Sequence, residues 1–165
     1  MIIGNPEFFM IHYDMVLLSD RFSFGAVNFI IDHKFFPGTG IYHTFESVLG
    51  CLKSGAEDFA TLQDSGSFHF TNNEFSNPDF YEDENRKLVK LHIAELEDSG
   101  LGVRVGRDGN EERAFITMDF EETWVEYRFP LGTVESVLRQ LPYVEELKAA
   151  MMRGDLPLPC GNVAN

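Results

Sequence analysis

From Glu7 to Leu17 the side chains alternate strictly. Glu7, Phe9, Ile11, Tyr13, Met15 and Leu17 fall on one side of a two-residue period, and Phe8, Met10, His12 and Asp14 on the other. An extended strand points successive side chains to opposite faces, so this repeat predicts a β-strand. It is entered through Gly4-Asn5-Pro6, a turn sequence. The same residues make a poor export signal or membrane anchor. The first basic residue is Arg21, Glu7 and Asp14 interrupt the run, and nothing approaches the ~20 unbroken apolar residues of a spanning helix. A cytoplasmic protein is expected.

The pattern continues through "RFSFGAVNFIIDHKFFPG", where both faces of the strand are apolar, Asp32-His33 predicts a tight turn, and Lys34-Phe35-Phe36 returns. These residues predict an N-terminal antiparallel meander. Then the period changes. Phe45, Val48, Leu49 and Leu52 recur at helical spacing, with Thr44 as a candidate N-cap and Gly55 as the expected stop. Residues 64–84 form a Ser/Asn/Gly/Asp-rich stretch studded with Phe68, Phe70, Phe75, Phe80 and Tyr81, read as a long ordered loop whose role stays open. Residues 87–97 fit a helix and a strand equally well.

A second, central to C-terminal meander follows. Val103 and Val105 lead to an Asp108-Gly109 hairpin signal. Ala114, Ile116, Met118 and Phe120 face one way, and Val125, Tyr127 and Phe129 face the core with Trp124, Glu126 and Arg128 outward. "PLGTVESVLRQL" predicts a helix capped by Thr133, and Pro142 suits the first position of a last helix carrying Val144, Leu147 and Met151. The expected class is α+β: one domain over residues 1–153, mainly antiparallel sheet packed with a few short helices, the last ones C-terminal, then a Pro/Gly-rich tail over 154–165. The chain's 165 residues are enough for a sizeable core, and 16 Phe, 5 Tyr and 1 Trp make that core aromatic-rich.

Charge narrows the partners. Thirteen Lys and Arg against 27 Asp and Glu leave a net charge of -14, and each third of the chain is acidic. Neither nucleic acid nor an anionic membrane surface is an expected partner, whereas a basic protein would be drawn in. The two cysteines, Cys51 and Cys160, stand far apart and read as reduced thiols.

No catalytic or metal-binding constellation emerges. His12, His33, His43, His69 and His92 form no zinc-ligand spacing. Asp64 to Glu74 fails as a calcium loop because His69 stands where glycine is required. Gly100, Gly102 and Gly106 lead into a hairpin, not a helix, so they are not a phosphate loop. No cofactor is expected, and the chain is not read as an enzyme. Two alternatives stay open: a small ligand-binding or regulatory module, and an enzyme assembled from dispersed residues such as His12, Asp14 and His92.

The opening "MIIGNPEFFMIHYDMV", the strand "FSFGAVNFIID" and "HKFFPG" resemble the immunity proteins of bacterial polymorphic-toxin systems, specifically the family numbered forty-two. "LEDSGLGVRV", "NEERAFI" and "VEYRFPLGTVESVL" are similar in kind, so the likeness runs from Met1 to about Leu141. The resemblance implies a cytoplasmic protein, encoded beside a secreted toxin, that binds the toxin domain and blocks it. It carries over no residue roles. The candidate toxin contacts come from the acidic turns: Glu82, Asp83 and Glu84, with Glu111, Glu112, Glu121 and Glu122. Tyr81 and Trp124 are the candidate aromatic anchors, if exposed. A homodimer through an exposed sheet edge stays open.

Overall fold

The computed structural model describes residues 1–18, 22–38, 41–62, 74–75 and 88–155. The N-terminal meander is present. Strands β1 (Ile2–Gly4), β2 (Phe9–Leu18), β3 (Ser23–Ile31) and β4 (Lys34–Phe36) pair antiparallel in chain order, and β5 (His43–Thr44) also pairs with β3. Ile31 pairs with Lys34, so Asp32 and His33 form the whole turn. Both take positive φ, 49° and 61°, as a two-residue type I′ hairpin demands. The odd-numbered positions of β2 and β3 point one way: Phe9, Ile11, Tyr13, Met15, Val27, Phe29 and Ile31 are all buried.

Helix α1 spans Phe45–Thr61 and buries Phe45, Val48, Leu49, Leu52, Gly55, Ala56 and Phe59. It runs past Gly55, the expected stop. A Cβ at Gly55 would lie 2.9 Å from Leu91 Cδ2, so this glycine is selected by packing. It lets the segment at Leu91 approach the helix closely, and it ends nothing. Residues 87–97 divide the ambiguity between them: Leu88–Lys90 is a strand, β7, and Ala94–Ser99 is a 3-10 helix.

The second sheet contains β6 (Glu74–Phe75), β7, β8 (Gly102–Asp108), β9 (Glu111–Thr117) and β10 (Trp124–Pro130), in the order β6-β10-β9-β8-β7. Asp108 pairs with Glu111, which places the hairpin loop at Gly109-Asn110, one residue beyond the predicted Asp108-Gly109. One face of this sheet carries Val103, Val105, Ala114, Ile116 and Phe129 into the same core as the first sheet. Phe9 joins the two sheets, its ring 6.0 Å from Phe29 and 5.7 Å from Phe129.

The other face of the second sheet departs from the simple alternation. Trp124 and Glu126 were expected outward, and both are buried together with Arg104, Arg113 and Phe115. The charges there are paired: Arg113 Nε lies 3.1 Å from Glu126 Oε1, and Arg104 Nη2 3.0 Å from Glu121 Oε2. Arg104 also lies over the Trp124 ring at 5.2 Å. A two-residue period assigns a side chain to a face; it does not decide whether that face meets water.

Helices α2 (Thr133–Gln140) and α3 (Val144–Met152) close the core through Val134, Val137, Leu138, Val144, Leu147 and Met151. Tyr143 is the N-cap of α3, with Glu146 accepting its backbone N–H at 3.0 Å. Pro142 therefore stands outside the helix, where sequence placed it first within. The predicted loop over 64–84 and the tail beyond Asp155 lie outside the described residues, apart from the short strand β6. Because Phe9 packs against both sheets, Phe9→Ala should lower the unfolding free energy by about 3–5 kcal/mol in urea denaturation. A loss under about 1 kcal/mol would show that the sheets do not depend on this ring.

Candidate functional site

The acidic candidates separate into different roles. Glu82, Asp83, Glu84 and Tyr81 lie outside the described residues. Glu111 is exposed at the start of β9, 3.7 Å from Arg128. Glu122 is exposed in the loop that follows the same strand. The seven residues of β9 put the two turns roughly 20 Å apart, at about 3.4 Å per residue. Among the described residues the acidic turns do not converge on one spot.

Glu112 and Trp124 are not surface groups. Glu112 is fully buried on the inner face of β9. Its Oε2 accepts the backbone N–H of Val134 at 2.6 Å and of Glu135 at 3.4 Å. This carboxylate supplies the N-terminal cap of α2. Gly132, the residue before the helix, takes φ 85° and brings no side chain, while Thr133 is already helical. Burial pushes the Glu112 carboxyl pKa up, against the pull of the Val134, Gly132 and Glu135 amides and of Arg107. Trp124 packs with Phe115 and Leu88, so it fails the exposure that an anchor needs.

Glu121 and its neighbours form a clamped loop between β9 and β10. Lys90 Nζ and Arg104 Nη2 bond the two Glu121 carboxylate oxygens at 2.9 and 3.0 Å. Asp119 holds the rest: it accepts the Thr117 hydroxyl at 2.6 Å, the Thr123 N–H at 2.9 Å and the Thr123 hydroxyl at 2.5 Å. Those hydroxyls and the amide bring its pKa down to about 2. Phe120 N–H donates to Gly100 O at 3.2 Å. Gly100 has φ 85°, and a Cβ there would come 2.8 Å from Met118 O, so only glycine fits beneath the loop.

Within this clamp Phe120 and Glu121 both have positive φ, 59° and 69°. Left-handed backbone costs L-residues roughly 1–2 kcal/mol each. Phe120 is nevertheless 72% exposed and Met118 40%. Both were expected to share a face with Ala114 and Ile116; the strand ends at Thr117 instead. The turn could have been suspected from Thr117, Asp119 and Thr123, whose short oxygens favour turns, yet the alternating apolar residues masked it.

Of the dispersed trio proposed for catalysis, His12 and Asp14 share a face of β2, and no contact among the described residues joins them to His92. His12 lies on β2, its ring 6.5 Å from Phe35, while His92 stands beside Glu97 Oε1 at 3.8 Å near the second sheet. Burial brings the His12 pKa down. Among the described residues no cluster of His, Cys, Asp and Glu could hold a metal ion, and no helix is long and apolar enough to cross a membrane.

The fold is that of a small α+β domain, with the carboxylates of Glu112, Asp119, Glu121 and Glu126 committed to a helix end, a turn and ion pairs. The chain belongs to the Immunity protein 42 family, whose model matches residues 1–143. The match ends at Tyr143, leaving α3 beyond it. A crystal structure of CdiI from Burkholderia dolosa AUO158 is similar in fold, with a TM-score of 0.60 at 16% identity over 90% of this chain and 99% of that one. No curated protein matches the sequence significantly.

Two carboxylates titrate in opposite senses. Because the folded pKa of Glu112 is raised above 4.5, its stability contribution is present below that value and lost as pH rises through the folded pKa. Denaturation at a series of pH values should show wild type falling relative to Glu112→Gln, and Glu112→Ala should lose about 1–2 kcal/mol with the cap. Asp119, lowered from 3.8 to about 2, acts the other way. Its clamp is intact above pH 3.8 and lost as pH falls through about 2. Amide exchange at Thr123 should stay slow at pH 4 and accelerate near the lower value; fast exchange at pH 4 would refute the clamp.

Proposed function

We propose that this chain neutralises a cognate toxin domain by binding it directly. Membership of the Immunity protein 42 family across residues 1–143 carries this reading. An immunity protein of this kind acts by occupying a surface, which supports a non-enzymatic role. It needs to meet the toxin where the toxin acts, which favours the cytoplasm. The toxin is basic on its contact face, since a partner of that sign is attracted by a chain of net charge -14. Homodimer formation through a sheet edge is compatible with this role and is not required by it.

The exposed acids Glu111 and Glu122, together with the sequence candidates Glu82, Asp83 and Glu84, are the steering surface, and Tyr81 is a candidate anchor. Glu112 and Trp124 serve the fold, while Glu121 fixes its own loop. Charge of this kind changes association rates more than dissociation rates. With the toxin domain encoded beside this chain as partner, replacing Glu82, Asp83, Glu84, Glu111 and Glu122 by Gln should slow association by about tenfold at low salt and flatten its salt dependence. Stopped-flow measurements over a salt series check this. An unchanged association rate would remove these residues from the steering surface.

A further inference from the structure

Phe120 combines strain with exposure in a way the fold does not explain. Its backbone and that of Glu121 are left-handed, and the conformation is held by Asp119, by the Gly100 carbonyl and by the Glu121 pairs with Lys90 and Arg104. Burial of the Phe120 ring is not the return, since 72% of the residue faces solvent. Strain that surrounding bonds enforce, at a residue the core does not use, is characteristic of a binding or active site.

We propose that Phe120 is the aromatic anchor of the toxin contact, entering an apolar socket on the toxin domain that is rimmed by Lys or Arg. The inference rests on the toxin-binding reading and assigns its central contact. Three observations favour this occupant. An aromatic ring on a clamped loop loses little conformational freedom on docking. Near it Glu97 and Glu121 pair with Lys90 and Arg104, and Asp119 and Glu122 flank the ring in the same loop, so the rim keeps an acidic excess that a basic collar complements. The other exposed phenylalanines lean on neighbours: Phe22 lies 5.3 Å from Phe24, and Phe35 6.5 Å from His12. Met152, exposed at 73%, is flexible and falls beyond the residues that match the family.

The test uses the full chain and the toxin domain encoded beside it, carrying an inactivating substitution, in equilibrium and kinetic binding measurements. Phe120→Ala should weaken binding by about thirtyfold or more, mostly through faster dissociation, as loss of a hot spot does. Its melting temperature should stay at the wild-type value because the ring is exposed. Phe120→Tyr should bind within about threefold of wild type, as should Phe35→Ala on the first sheet, both well short of hot-spot loss. If wild type does not bind the toxin domain, the toxin-binding reading falls, and the anchor with it. If wild type binds and Phe120→Ala binds within about twofold of it, no hot spot lies at this residue: the anchor alone falls and the toxin-binding reading stands.

Discussion

A buried carboxylate ties the second sheet to the start of α2, beneath the apolar core that the helices share with it. Glu112 leaves β9 on its inner face and ends on the first amides of α2. In the cross-strand pair Arg107–Glu112, Arg107 continues the polar seam. Its guanidinium bonds Leu62 O at 2.8 Å and Glu135 at 2.6 Å and lies 5.0 Å over the Phe59 ring. One pair of neighbouring side chains thus fixes the end of α1 and the start of α2 against the sheet. Helix α2 in turn touches β1 and β2, so the relation of the two sheets passes through this contact as well as through Phe9. Desolvating a carboxylate costs several kcal/mol unless donors replace the water. The amides and Arg107 offset part of that, and the raised pKa of Glu112 shows that burial still dominates.

Asp119 is the counterpart. It is also a carboxylate accepting backbone and hydroxyl donors, yet it stays in water and its pKa falls to about 2. Desolvation decides the difference: with its cost nearly absent, the hydrogen bonds act unopposed. Glu112 fixes a helix at the cost of burial that disfavours its ionised form. Asp119 fixes a turn with its ionised form favoured, and that turn is where the chain holds an aromatic residue out of the core.

The sequence was a good guide wherever one local rule acted alone. Alternation located β2, β3, β8 and β9, and Asp32-His33 took the predicted hairpin turn. The resemblance across Met1 to Leu141 agrees with the family match over residues 1–143. Failures fell where a distant partner decides. Gly55 looks like a stop until Leu91 is packed against it. Thr133 looks like a cap until Glu112 arrives from a strand 21 positions earlier in number to take that role. Trp124 and Glu126 alternate as outward residues should, yet Trp124 packs with Phe115 and Leu88 under Arg104, and Glu126 pairs with Arg113. Phe120 continued an apolar stripe, and the Asp119 clamp turned it away.

In the proposed reading, charge and anchor solve separate parts of neutralisation. A toxin must be captured before it acts, and a field spread over a chain of net charge -14 raises encounter rates without requiring any side chain to be well placed. That explains why acidic turns roughly 20 Å apart can serve one function although they form no common site. Holding the toxin is a different demand, met by dissociation rate, and scattered exposed acids contribute little there because water competes with every pair. Residence needs a desolvated contact, and a rigid ring brings the most buried area for the least ordering cost. Under that proposal an acidic, salt-sensitive approach ends on a clamped aromatic: a field tolerates scattered acids, whereas an anchor needs the bonds that Asp119 and Glu121 make around it.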